Sequence, residues 1–141
     1  MHSFKPVKDG IYIGPQPSAQ DLDAAKQQGI KTVIDFRMPS ETVASNETLT
    51  TKCGLDYVNI PVNKAGLDAH QISELEAVIS SREGPFLLHC ATGTRAALLL
   101  LLSTARKNGW TREQVFAEAQ AMGFDLKTSP EFSSFVAQTI A

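Results

Sequence analysis

The chain has 141 residues, 43% of them hydrophobic and 20% charged, which suits a globular domain with one core and excludes disordered, collagen-like and coiled-coil classes. Its 13 Lys and Arg are outweighed by 15 Asp and Glu, a net charge of -2, so it lacks the basic excess of a protein that lives on nucleic-acid phosphates. Two cysteines, Cys53 and Cys90, make no disulfide framework, and with His2, His70 and His89 scattered along the chain no four-ligand zinc site is expected.

The first apolar run, Ile11-Tyr12-Ile13, is stopped by Gly14-Pro15 and reads as a short strand. Ser18 and Asp21 form a partial capping box for a helix carrying Leu22 and Ala25 and closed by Gly29. Thr32 to Phe36 is a β-branched, continuous run and reads as a buried strand. Beyond Pro39, Glu41 to Lys52 is polar and helical in pattern, and Asp56 to Ile60 alternates as a strand ended by Pro61. Asn63 to Leu67 is a loop. Asp68 caps a helix whose apolar positions, Ile72, Leu75, Val78 and Ile79, share one face until Gly84-Pro85. Phe86-Leu87-Leu88 is a third buried strand, followed by a loop from His89 to Thr94 and an apolar helix reaching Asn108 and Gly109. Thr111 opens a helix with Val115, Phe116 and Ala119, and Ser129-Pro130 opens the last one.

Strands alternating with helices predict a single α/β domain over residues 1–141, with a mainly parallel sheet covered on both faces. The N-terminus carries no apolar signal region, and the longest apolar stretch, Ala96 to Leu102, is far short of the about 20 residues of a membrane span. A reduced, cytoplasmic setting without membrane or nucleic-acid partners is the expectation.

The chemistry concentrates in Phe86-Leu87-Leu88-His89-Cys90-Ala91-Thr92-Gly93-Thr94-Arg95-Ala96. A buried strand runs into a cysteine, a loop of small residues and a helix. This order puts Cys90 at the carboxyl end of a strand, where open α/β sheets bind ligands, and puts the loop amides at a helix N-terminus that attracts anions. The same field favours thiolate over thiol. Arg95 adds a planar fork suited to phosphate or sulfate, and Gly93 lets the loop turn its amides inward. The loop from Cys90 through Ala91, Thr92, Gly93 and Thr94 to Arg95 is therefore the candidate anion site. Cys53, before Gly54, reads as structural.

This loop resembles that of cysteine-dependent phosphatases, in which His-Cys opens a phosphate loop closed by arginine, and also the active loop of rhodanese sulfurtransferases. Four residues separate Cys90 from Arg95, the rhodanese-like interval, where protein tyrosine phosphatases have five; Ala96 replaces the hydroxyl residue that usually follows the phosphatase arginine. Asp9 to Ser18 and Gly29 to Arg37 resemble the N-terminal half of dual-specificity-like phosphatases. Residues 4–126 as a whole resemble the bacterial DUF442 family, the phosphatase-like domain found alone or fused to beta-lactamase-like hydrolases, which has the short Cys-x-x-Gly-Thr-Arg loop.

The resemblance implies a three-layer cysteine-phosphatase-like fold and hydrolysis of a phosphoester through a phosphocysteine on Cys90, with no cofactor or metal. The substrate would be a phosphorylated small molecule or phosphoprotein, and a beta-lactamase-like hydrolase a fusion or functional partner. Two alternatives stay open: a sulfurtransferase that takes sulfur from a donor as a persulfide on Cys90, and a non-catalytic anion- or partner-binding module. His89 is expected to organise the loop. Thr92 and Thr94 either orient the loop or are solvated. The general acid of such phosphatases follows an earlier strand, a region that offers Asp68 and His70 here; Asp68 is equally a helix cap. Arg37 and Glu41 either reach the crevice or pair with each other, and Gln16 either lines the pocket or is an ordinary turn residue.

Overall fold

The computed structural model describes residues 4–8, 10–38 and 46–140. Five strands form one sheet in the order β1-β2-β5-β3-β4: β1 (Lys5–Lys8), β2 (Ile11–Gly14), β3 (Thr32–Asp35), β4 (Asp56–Asn59) and β5 (Phe86–His89). Strand β1 is antiparallel to β2, and the other neighbours are parallel. The helices are α1 (Ala19–Gln27), α2 (Asn46–Lys52), α3 (Ala69–Ser81), α4 (Thr94–Asn108), α5 (Arg112–Ala121) and α6 (Pro130–Thr139). This is the three-layer α/β arrangement the strand–helix alternation predicts.

The strand period of two divides the core into two layers. Ile11, Ile13, Ile34, Phe86 and Leu88 pack with Ile72, Leu75 and Leu98 against α3 to α6. Tyr12, Val33 and Leu87 point to the opposite face, where Phe4, Leu22, Ala25, Ile30 and Leu55 cover them with Cys53 alongside. Helix α4 is buried through Ala96 to Ser103, because it lies directly on the sheet and under its neighbours. An all-apolar face of this kind belongs to a central helix.

Several expectations shift in detail. Strand β1 is missing from the sequence reading because Lys-Pro-Val-Lys has no apolar alternation. It is an edge strand, where Pro6 and lysines are tolerated and discourage further pairing. The helix expected over Glu41–Lys52 is described from Asn46 onward; Glu41 lies outside the described residues. Strand β3 ends at Asp35 rather than Phe36, and β5 runs one residue further, to His89. The caps at Ser18, Asp68, Thr111, Ser129 and Gly109 stand where the sequence places them.

Candidate active site

The carboxyl ends of four parallel strands form one edge. Gly14 of β2 lies opposite His89 of β5, which lies opposite Asp35 of β3, which lies opposite Asn59 of β4. Because β5 is central, the residue after it emerges in the middle of this edge. That residue is Cys90, fully buried in the core cluster beneath α4. Ala91 and Thr92 are exposed, and Gly93 turns the chain into α4 with φ 99°. The Gly93 N–H donates to Cys90 Sγ at 3.0 Å. The sulfur thus has an amide donor beside it, at the N-terminus of a 15-residue helix.

The turn needs glycine at two places. A Cβ on Gly93 would stand 3.0 Å from the Phe124 ring and 3.3 Å from the Gly14 carbonyl carbon, and its φ lies in the left-handed region. A Cβ on Gly14 would overlap the Phe4 ring at 2.3 Å. The end of β2 and the loop therefore approach each other backbone to backbone. Gln16 meets the loop through its main chain, its N–H donating to the Ala91 carbonyl at 3.4 Å, while the residue itself is exposed.

Arg95 is half-buried in the first turn of α4, and its Nη1 donates to the Val62 carbonyl at 2.9 Å. This contact pins the guanidinium between the loop and the segment after β4. Thr92 and Thr94 place their hydroxyls 3.1 Å apart. Ala96 is fully buried, so the position after the arginine faces the core.

Beside the loop lies a polar network, centred on the buried Asp35, Arg37 and His89, that the sequence reading does not assemble. Asp35 accepts from Arg37 Nε and Nη2, each at 3.0 Å, from the Arg37 N–H at 3.0 Å and from the Tyr57 hydroxyl at 2.8 Å. Asn59 Nδ2 donates to the Asp35 carbonyl at 2.8 Å and the Arg37 carbonyl at 3.0 Å. His89, fully buried, brings Nδ1 to 3.7 Å from Asp35 Oδ1. Burial opposes the Asp35 charge, but the Arg37 hydrogen bonds, His89 and the Tyr57 hydroxyl hold its pKa below the ordinary value. Burial pushes His89 down to about 4, helped by the Arg37 charge and countered by Asp35 and the Cys90 backbone. Tyr57 is pushed up by burial and by its bond to Asp35. His89 is thus a neutral ring at neutral pH, packed between the Asp35 carboxylate and the start of the loop.

The remaining candidates have partners of their own. Asp68 Oδ1 accepts the His70 N–H at 2.8 Å, and the Asp68 N–H donates to Gln71 Oε1 at 3.2 Å, so this carboxylate is engaged in an α3 capping box. It lines a depression shared with Arg106 and Phe135. His70 is exposed and pairs with Glu74 at 3.0 Å. Among the described residues Arg37 pairs with Asp35, and the expected pairing with Glu41 falls on a residue outside them. A charged i, i+2 pair at the end of an apolar strand was the available signal, since buried charges are paired. Among the described residues no cluster of His, Cys, Asp and Glu could hold a metal ion, and no helix is long and apolar enough to cross a membrane.

The family model of the beta-lactamase hydrolase-like protein, phosphatase-like domain, matches residues 3–107, a stretch that includes every strand, the Cys90 loop and most of α4. The chain belongs to this family. A beta-lactamase hydrolase-like protein of Xylella fastidiosa (strain Temecula1) is 27% identical over 125 residues, covering 85% of this chain and 29% of that protein. The phosphatase-like domain described here thus spans less than a third of the length of the curated relatives it matches. Among solved structures, the "putative phosphatase" of Neisseria meningitidis Z2491 is 26% identical, with a TM-score of 0.80 and 99% of each chain covered. P. aeruginosa TpbA, solved in complex with phosphotyrosine, is 22% identical, with a TM-score of 0.78, covering 95% of this chain and 82% of that one. The last likeness is one of fold.

Proposed function

We propose that this phosphatase-like domain hydrolyses a phosphoester with Cys90 as nucleophile. The observation that carries the reading is the Gly93 N–H directed at Cys90 Sγ, at the N-terminus of α4 and beside Arg95. Such a cradle fits a tetrahedral oxyanion and its developing charge. The Cys90 thiolate attacks phosphorus; an S–P bond forms as the ester P–O bond breaks, and the leaving oxygen takes a proton from solvent water. Water then attacks the phosphocysteine, releases inorganic phosphate and returns the thiolate. Arg95 and the amides of Ala91, Thr92, Gly93 and Thr94 hold the equatorial oxygens. His89, neutral and buried, braces the strand end from which the loop departs. Membership of the phosphatase-like family and the phosphotyrosine bound by the TpbA relative in fold support the reading.

The four-residue interval from Cys90 to Arg95 favours a second reading, a sulfurtransferase with a persulfide on Cys90. An aryl phosphate and thiosulfate, each followed by mass spectrometry of the Cys90 peptide, separate the two. A phosphocysteine, with turnover abolished in Cys90→Ser and phosphate binding retained, is the expected result. Arg95→Ala should lower turnover by about 10²–10³ and weaken phosphate binding as well. A thiosulfate-dependent persulfide with no phosphocysteine from any phosphoester would move the assignment to sulfur transfer. Neither adduct, with phosphate still bound, would leave a binding module.

A further inference from the structure

Gly93 supplies the amide that faces Cys90, and what fixes its position comes from the far end of the chain. Phe124 follows the turn that ends α5. A methyl group placed on Gly93 would meet Cε1 and Cζ of the Phe124 ring, both at 3.0 Å, and the Gly14 carbonyl carbon at 3.3 Å. Gly93 is therefore wedged between the end of β2 and this ring. The ring has its own supports. The Phe124 N–H donates to the Ala119 carbonyl at 2.8 Å, and Lys5 Nζ donates to the Met122 carbonyl at 2.9 Å while standing 5.9 Å from the ring centroid. Strand β1 and the end of α5 thus clasp the back of the loop. Phe124 lies beyond the 3–107 stretch that matches the family model.

We infer that Phe124 is a positioning residue for the Cys90 loop: its ring holds Gly93 where the Gly93 N–H meets Cys90 Sγ. The physical reason is glycine's freedom. Glycine enters the left-handed region at little cost but has no side chain to hold it there, so packing from outside must select one place. A hydrogen bond weakens steeply as its angle falls, and a small displacement of Gly93 takes the amide off the sulfur and off a bound oxyanion. The inference rests on the phosphatase reading of the loop and deepens it by adding a residue that touches neither sulfur nor substrate.

Three variants test it: Phe124→Ala, Phe124→Leu, and Phe116→Ala as a control that also removes a half-buried ring from the α5 region. The readouts are the Gly93 amide resonance in labelled protein, the Kd for inorganic phosphate and the Tm. Phe124→Ala should move the Gly93 resonance and weaken phosphate about tenfold, the size of one lost hydrogen bond to a charged acceptor. Phe124→Leu should keep most of the affinity. Phe116→Ala should lower the Tm without moving the resonance or the Kd. Unchanged resonance and Kd in Phe124→Ala, or equal changes in Phe116→Ala, would overturn the inference while leaving the phosphatase reading in place. A parent protein that takes up no phosphate at this loop would overturn both.

Discussion

The carboxylates of Asp35 and Asp68 do different work because of what surrounds them. Asp68 is exposed at the start of α3 and accepts a backbone N–H, the ordinary occupation of an N-cap. Asp68→Ala should cost about 1 kcal/mol in urea unfolding, and Asp68→Asn, which keeps a cap, much less. Neither should alter turnover of an alkyl phosphate. A fall of about 10²–10⁴ in Asp68→Asn, the size of a lost general acid, would return Asp68 to the reaction. Asp35, by contrast, is buried and engaged by Arg37, Tyr57 and the neighbouring His89. A buried carboxylate is tolerated when partners of this kind replace its water. Its place beside His89 makes it part of the floor of the loop rather than a proton donor to substrate.

At the scale of elements, the unit that matters is β5, the four-residue turn and α4. The strand is short and buried at every position, so it delivers Cys90 to a fixed point. The helix offers its N-terminal amides there, and its own position is set by the leucine run pressed on the sheet. Gly93 joins the two, and its φ and its contacts leave no room for a side chain. Gly93→Ala should therefore cost about 1–3 kcal/mol from backbone strain and crowding. It should also abolish phosphate binding, because the loop must open to relieve the clash. Denaturant unfolding and a phosphate titration check the two effects. A Gly93→Ala protein that binds phosphate as the parent does would show that the glycine amide is not part of the anion site.

Across the whole molecule, the buried network ties stability to pH. His89 has a folded pKa near 4, against the ordinary 6.5 of the unfolded chain. Between these values the unfolded state binds more protons than the folded state, so stability falls as pH drops from 6.5 toward 4. The term is absent above pH 6.5 and amounts to about 3 kcal/mol below pH 4. Asp35, whose folded pKa is lowered, stabilises above its unfolded value of 3.8 and gives up that contribution as pH falls through its folded pKa. The two act in adjoining windows. His89→Gln should flatten the urea midpoint between pH 6.5 and 4, whatever it does to the midpoint at pH 7. An unchanged slope in that window would show that His89 is not the group responsible.

The sequence by itself determined the strand–helix order, the caps and the candidate loop. These are local properties: alternation, a capping side chain or a glycine acts within a few residues, and His89 to Arg95 is contiguous. Only the tertiary structure decided which distant groups meet that loop. Asp35 reaches His89 because β3 and β5 are neighbours in the sheet although far apart in the chain. Val62 offers its carbonyl to Arg95 because β4 ends on the same edge, and Phe124 backs Gly93 because α5 folds against α4. Asp68 follows β4 in the order of elements, and the structure shows its carboxylate engaged in the α3 capping box. Strand order and helix packing follow from burying the whole apolar surface at once, which no short window of residues specifies.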